Sequence, residues 1–166
     1  MESRSISNPA VTIRPLALDD EGAARALFTY AFGNTLYADA PRAALVRALS
    51  GAAPSEATGL VATTGDTVVG VAVYGEVAGA EGAGKMHGMA VSADARRHGV
   101  ARLLIEAFVA DLSRRGARFV VVEFPDAAEM AVGRALLQHS RFVEESRVAD
   151  YFRDGIALCF LRRDLP

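Results

Sequence analysis

Apolar and polar residues recur along this chain with two different periods, and the places where the period changes mark out its elements. Near the start, "AVTIRPL" (10–16) reads as a short strand ending at Pro15, and Leu18-Asp19-Asp20 as a helix entry capped by Asp. In "EGAARALFTYAFG" (21–33), Ala23, Leu27, Tyr30 and Ala31 recur at helical spacing, and Gly33 with Asn34 supplies a stop. "PRAALVRALSG" (41–51) predicts a second helix, with Pro41 in the first turn, where its missing N–H costs nothing. From Leu60 the period shortens. "GLVATTGDTVVGVAVYGEV" (59–77) holds two β-rich runs joined at Gly65-Asp66, and the Gly-rich "AGAEGAG" (78–84) leads into a third, "KMHGMAV" (85–91). Connections this short predict an antiparallel meander.

The helical period returns from Gly99 to Arg115, where Ala101, Leu104, Ile105, Phe108 and Leu112 form one apolar face, and Gly116 ends it. "RFVVVEF" (118–124) then predicts a central strand covered on both faces, so that strand, helix and strand form a crossover. A helix over "AAEMAVGRALLQHS" (127–140) and two strands, "RFVEESRVADYF" (141–152) and "GIALCFLRRDL" (155–165), turning at Asp154-Gly155, complete the order β-α-α-β-β-β-α-β-α-β-β. The expectation is an α+β fold on a mixed sheet.

Composition narrows the class. Apolar residues make up 51% of the 166 and charged residues 23%, which fits one globular domain over the whole chain, with residues 1–9 as a flexible tail. The 18 basic and 20 acidic residues nearly cancel, which argues against a nucleic-acid or anionic-membrane partner. The start of the chain carries no long apolar run of a leader or anchor, so a cytoplasmic protein is expected. Cys159, alone in "IALCFL", reads as a small core residue rather than a nucleophile. His87, His98 and His139 have no carboxylate or Cys at ligand spacing, so no metal is expected.

One local feature breaks the electrostatic rules. Arg96, Arg97, His98 and Arg102 crowd the start of the helix at Gly99, where the positive end of the macrodipole favours anions. Either the guanidinium groups are simply solvated or the turn holds an anion between them and the free helical N–H groups, and the dipole argument favours the anion. Gly99 permits close approach, and pyrophosphate is the natural occupant. The turn is neither a Walker loop nor a GxGxxG turn.

Arg96-Arg97-His98-Gly99-Val100-Ala101 resembles the Arg/Gln-x-x-Gly-x-Gly/Ala motif of the GNAT superfamily of acyl-CoA-dependent N-acetyltransferases. The strand before it, the helix after it and "FVVVEF" follow in the order of that family. The resemblance implies a GNAT-like fold: a mostly antiparallel sheet of six to seven strands flanked by about four helices. It implies acetyl-CoA in a V-shaped opening between "KMHGMAV" and "RFVVVEF". Backbone groups of Met89, Ala90 and Val91 would pair with the pantetheine arm, and N–H groups from Arg97 through His98, Gly99, Val100 and Ala101 to Arg102 would hold the pyrophosphate. It also implies an amine acceptor, either a small molecule or a peptide, and a homodimer through the last strands. The family's second motif, Asn-x-x-Ala-x-x-Leu-Tyr then Gly-Phe, falls on Met130, Gly133, Leu136, Leu137, Arg141 and Phe142, so its cofactor-contacting Asn and proton-donating Tyr are missing.

Transfer of an acyl group to an amine needs the amine unprotonated and the departing thiolate stabilised. His87 is the first candidate base: it shares strand parity with Met89 and Val91 and titrates near neutral pH, although a histidine packed in the sheet explains it equally well. Glu123, the one charge in "VVVEF", is a second candidate base or an ammonium ligand, against the reading of a solvated strand end; Glu76 and Glu81 are weaker candidates of the same kind. Tyr151 in "ADYFRDG" is the candidate acid, against simple packing beside Phe152. Tyr30, Phe32 and Tyr37 fall where the family builds its acceptor pocket. An acyl-CoA-binding module without transferase activity is the competing reading, motivated by Met130 and Leu137.

Overall fold

Short turns assemble the three-stranded meander in the first half of the sheet. The computed structural model describes residues 10–166, and the tail expected at 1–9 lies outside them. β1 (Val11–Pro15), β2 (Thr58–Thr64), β3 (Thr67–Glu76) and β4 (Ala83–Val91) pair in that order, each antiparallel to the next. Between β1 and β2 the chain forms α1 (Glu21–Phe32) and α2 (Asp39–Leu49). α3 (Val100–Arg114) then carries the chain across the sheet to β5 (Phe119–Pro125), which runs parallel to β4. After α4 (Ala131–His139), the hairpin of β6 (Val143–Arg153) and β7 (Ile156–Asp164) adds two strands, with β7 against β5. Among the described residues the result is one seven-stranded mixed sheet, ordered β1-β2-β3-β4-β5-β7-β6, with four α-helices.

Each face has its own core. α1 and α2 cover β2, β3 and β4, where Ala24, Phe28 and Leu45 bury Val61, Val71 and Val73. Their approach is close: a Cβ on Gly88 would stand 2.7 Å from that of Pro41, so only glycine lets α2 rest on β4 there. On the other face, Leu104, Ile105, Phe108 and Leu112 of α3 pack on Val120 and Val122, and Cys159 lies in the same core. Full burial of each such apolar side chain contributes about 1.5–3 kcal/mol, so the periodic face of α3 is the main adhesive of this layer.

Three expectations are corrected. β5 is not covered on both faces: Val120, Val122 and Phe124 are buried, but Val121 is half-buried and Glu123 exposed, because α1 and α2 stop at β4. Asp20 does not cap α1; its carboxylate takes two hydrogen bonds from Arg14, at 2.7 and 2.8 Å, and one from the N–H of Ala17 at 2.8 Å. The ion pair to β1, in which only the Asp20 carboxylate is buried, outcompetes the helix N–H groups. The strict alternation expected along β4 is also interrupted, with consequences for His87.

Candidate active site

The parallel pairing of β4 with β5 runs from Ala83 opposite Phe119 to Met86 opposite Val122 and ends there. Beyond that point β4 continues to Val91 held only by β3, and β5 continues to Pro125 held only by β7. The two strands therefore part, and backbone groups of His87 to Val91 that would have met β5 line the gap. A bulge coincides with the split. Tyr74 faces Met86 and Val73 faces Gly88, which leaves His87 as the extra residue, and an extra residue bends its strand.

The bulge moves His87 off the face predicted for it. Met89 and Val91 pack into the α3 core, whereas the Nε2 of His87 lies 3.2 Å from the backbone oxygen of Glu56, in the α2–β2 connection. A carbonyl oxygen only accepts, so Nε2 carries the hydrogen and Nδ1 keeps the lone pair. Burial pushes the pKa of His87 down, and the nearby Lys85 and Arg47 push it the same way; the Glu56 carbonyl and the Glu123 carboxylate oppose them. The imidazole is thus biased towards its neutral, proton-accepting form.

Glu123 is partly exposed, and it is not alone: the Nζ of Lys85 lies 2.6 Å from its Oε1, across the strand pair just before it opens. Lys85 is the residue that sequence reasoning missed. Its signal was present, since Lys85 is the one charge in "AGKMHGMAV", but only the sheet register brings it to a residue 38 positions away.

At the wide end of the split stands the turn before α3. Gly99 caps the helix in the left-handed conformation, at φ +77°, with Arg97 also left-handed at φ +62°. No side chain caps α3 and its first turn holds no acid, so its leading N–H groups keep their affinity for an anion. The space around Gly99 is open, with nothing within 4 Å of where a Cβ would be. Arg97, His98 and Arg102 are exposed, Ala101 is half-buried, and Val100 turns into the core. Arg96 stacks its guanidinium 5.1 Å from the ring centre of Tyr30, and its Nε donates to the Val91 oxygen at 3.4 Å. β4, the turn and α1 are joined at this point.

Tyr151 is 59% exposed in an irregular part of β6, edge-on to Phe152, which is edge-on to Tyr37 beyond α1. This aromatic row connects the β6–β7 hairpin with the α1–α2 connection. Phe32 and Tyr37 are buried, whereas Tyr30 is exposed beside Arg96. Leu137 is in the core, and Met130 packs where the two cores meet. Among the described residues no three His, Cys, Asp or Glu side chains are grouped as metal ligands would be, and no helix is long and apolar enough to cross a membrane. Two surface hollows, of about 280 and 580 Å³, share Arg141, Arg163 and Asp164 and contain none of the predicted site residues.

The family model described as "Acetyltransferase (GNAT) family" matches residues 26–134. Among solved structures, a protein of the GNAT family from Desulfovibrio desulfuricans is similar at 24% identity and a TM-score of 0.85, over 95% of this chain and all of that one. The ribosomal-protein-S18-alanine N-acetyltransferase of Escherichia coli is similar at 18% identity and a TM-score of 0.74, over 94% of each chain. A protein of Salmonella typhimurium, solved with its cofactor acetyl-CoA, is similar at 20% identity and a TM-score of 0.73, over 95% of each chain. No curated protein sequence matches the chain.

Proposed function

The chain belongs to the acetyltransferase (GNAT) family, and we propose that it moves the acetyl group of acetyl-CoA onto a primary amine of a small molecule or peptide by direct attack in a ternary complex. The observation that carries this reading is the parting of β4 from β5 ahead of an uncapped helix N-terminus that Arg96, Arg97 and Arg102 flank in sequence. The residues present fit the cofactor: an unpaired strand edge suits the amide groups of its arm, and an open, acid-free helix start suits its pyrophosphate. In this reading Met89, Ala90 and Val91 bind the arm through their backbone. The turn from Arg97 to Arg102 binds the pyrophosphate, flanked by Arg96.

Bound acetyl-CoA supplies an acetyl group activated as a thioester. The Nδ1 of His87 takes the proton that the acceptor amine must lose, and its depressed pKa keeps that atom free at neutral pH. The Glu123 oxygen not bonded to Lys85 can accept a hydrogen bond from the acceptor's ammonium group. The leaving sulfur needs a proton, for which Tyr151 is the candidate donor, with water as the substitute. β6 is the outer strand of the sheet and exposed along most of its length, which suits a homodimer through the last strands. The buried, unpaired Cys159 suits the reducing cytoplasm.

Calorimetry with acetyl-CoA, followed by a free-thiol assay over amines, amino acids and peptide N-termini, tests the reading. Binding with thiol release for one acceptor class is expected. His87→Ala should lower kcat at least about 100-fold with acetyl-CoA affinity unchanged. Binding without release across the panel supports instead an acyl-CoA-binding module, the reading favoured by Met130 and Leu137. Absence of binding overturns both.

A further inference from the structure

Lys85, His87 and Glu123 stand together where the sheet divides. Lys85 lies in the last paired stretch of β4, opposite Val121; Glu123 is the first residue of β5 past the last pair. Their ion pair, 2.6 Å between Nζ and Oε1, therefore crosses the two strands at the point where backbone hydrogen bonds stop. The lysine side chain is 26% exposed and the glutamate side chain 43%, so the pair is partly screened from water. His87 is displaced by the bulge onto the same side of β4 as Lys85. The α2–β2 connection contributes the Glu56 carbonyl to its ring, and α2 contributes the charge of Arg47. The Glu123 carboxylate thus opposes two cations around the imidazole, and Lys85 is paired with it.

We propose that Lys85 is a positioning residue for this site: by neutralising the Glu123 carboxylate across the divide, it sets the charge that His87 carries when the acceptor arrives. The inference rests on His87 as the proton acceptor for its consequence in turnover, but not for its effect on the ring. Removal of Lys85 takes away one cation and leaves Glu123 unneutralised, and both changes favour the imidazolium. Removal of the Glu123 charge leaves two cations unopposed, which favours the neutral ring. The two substitutions therefore act in opposite directions although they break the same ion pair, which a merely structural role would not produce.

The test is a titration of the His87 ring nitrogens by NMR in the whole chain, beside the pH profile of kcat/KM. Lys85→Met should move the His87 midpoint up, Glu123→Gln should move it down, and Lys85→Arg should restore the native midpoint. An unchanged His87 midpoint in folded Lys85→Met, or a shift of the same sign in both variants, overturns the proposal. The rate profile separates this from the catalytic reading. If the ring titration moves as stated and the alkaline-rising limb of kcat/KM moves with it, both stand. If the ring moves and the limb does not, Lys85 still positions the charge and His87 is not the base.

Discussion

Arg163 of β7 and Glu106 of α3 are joined by two hydrogen bonds of 2.8 and 2.9 Å, with the guanidinium only 5% exposed and also donating to the Ser140 oxygen. The helix whose first turn forms the candidate anion site is thereby tied to the far half of the sheet. The two partners are not equivalent. Glu106→Gln strands a buried cation, whereas Arg163→Met leaves a carboxylate that is 44% exposed and reachable by water. We expect Glu106→Gln to lose about 2 kcal/mol of unfolding free energy and Arg163→Met less, measured by urea denaturation. The reverse order would show that the arginine is solvated in solution.

Gly99→Asp places a carboxylate at the uncapped start of α3, in open space and at a left-handed φ. Gly99→Asn is the control, since asparagine tolerates that backbone region without the charge. Acetyl-CoA affinity should fall at least about tenfold more in the Asp variant than in the Asn variant, with equal melting temperatures. Equal affinities would remove the pyrophosphate from this turn.

Tyr74 is 1% exposed and donates its hydroxyl hydrogen to Asp111 at 2.8 Å. Burial and the neighbouring carboxylate push its pKa well above the ordinary tyrosine range, so it remains a neutral donor. Tyr74→Phe should cost about 1 kcal/mol, and Asp111→Ala more, because that change also deprives Arg114 and Arg115 of their partner. Thermal unfolding measures both, and turnover should be unaffected.

Asp20 and Glu106 are each held below the ordinary carboxylate range, by Arg14 and Arg163 respectively. A group whose folded pKa is depressed stabilises the fold at pH values above its unfolded pKa and loses that contribution as pH falls through the folded one. The contribution of these two carboxylates should therefore be level from neutral pH to about pH 5 and decline below about pH 4. In Asp20→Asn the acid decline should be shallower and the neutral-pH stability lower, by urea midpoints from pH 3 to pH 7. An unchanged acid slope would mean that Arg14 does not hold Asp20 in solution.

The sequence by itself determined the meander, the crossover through α3, the hairpin at the end and the glycine turn with its ring of arginines. Periodicity, capping and turn chemistry act between residues a few positions apart, so the chain carries them in plain order. The resemblance at Arg96 to Ala101 added the family from one such local motif. Tertiary structure alone decided which residues meet. Parity placed His87 with Met89 and Val91, yet one extra residue in β4 set it on the other face, because a strand shifted by one position exchanges its faces. Lys85 reaches Glu123 over 38 positions and Arg163 reaches Glu106 over 57. Neither contact has a period or a spacing along the chain; each depends on the register between strands and on where pairing gives out.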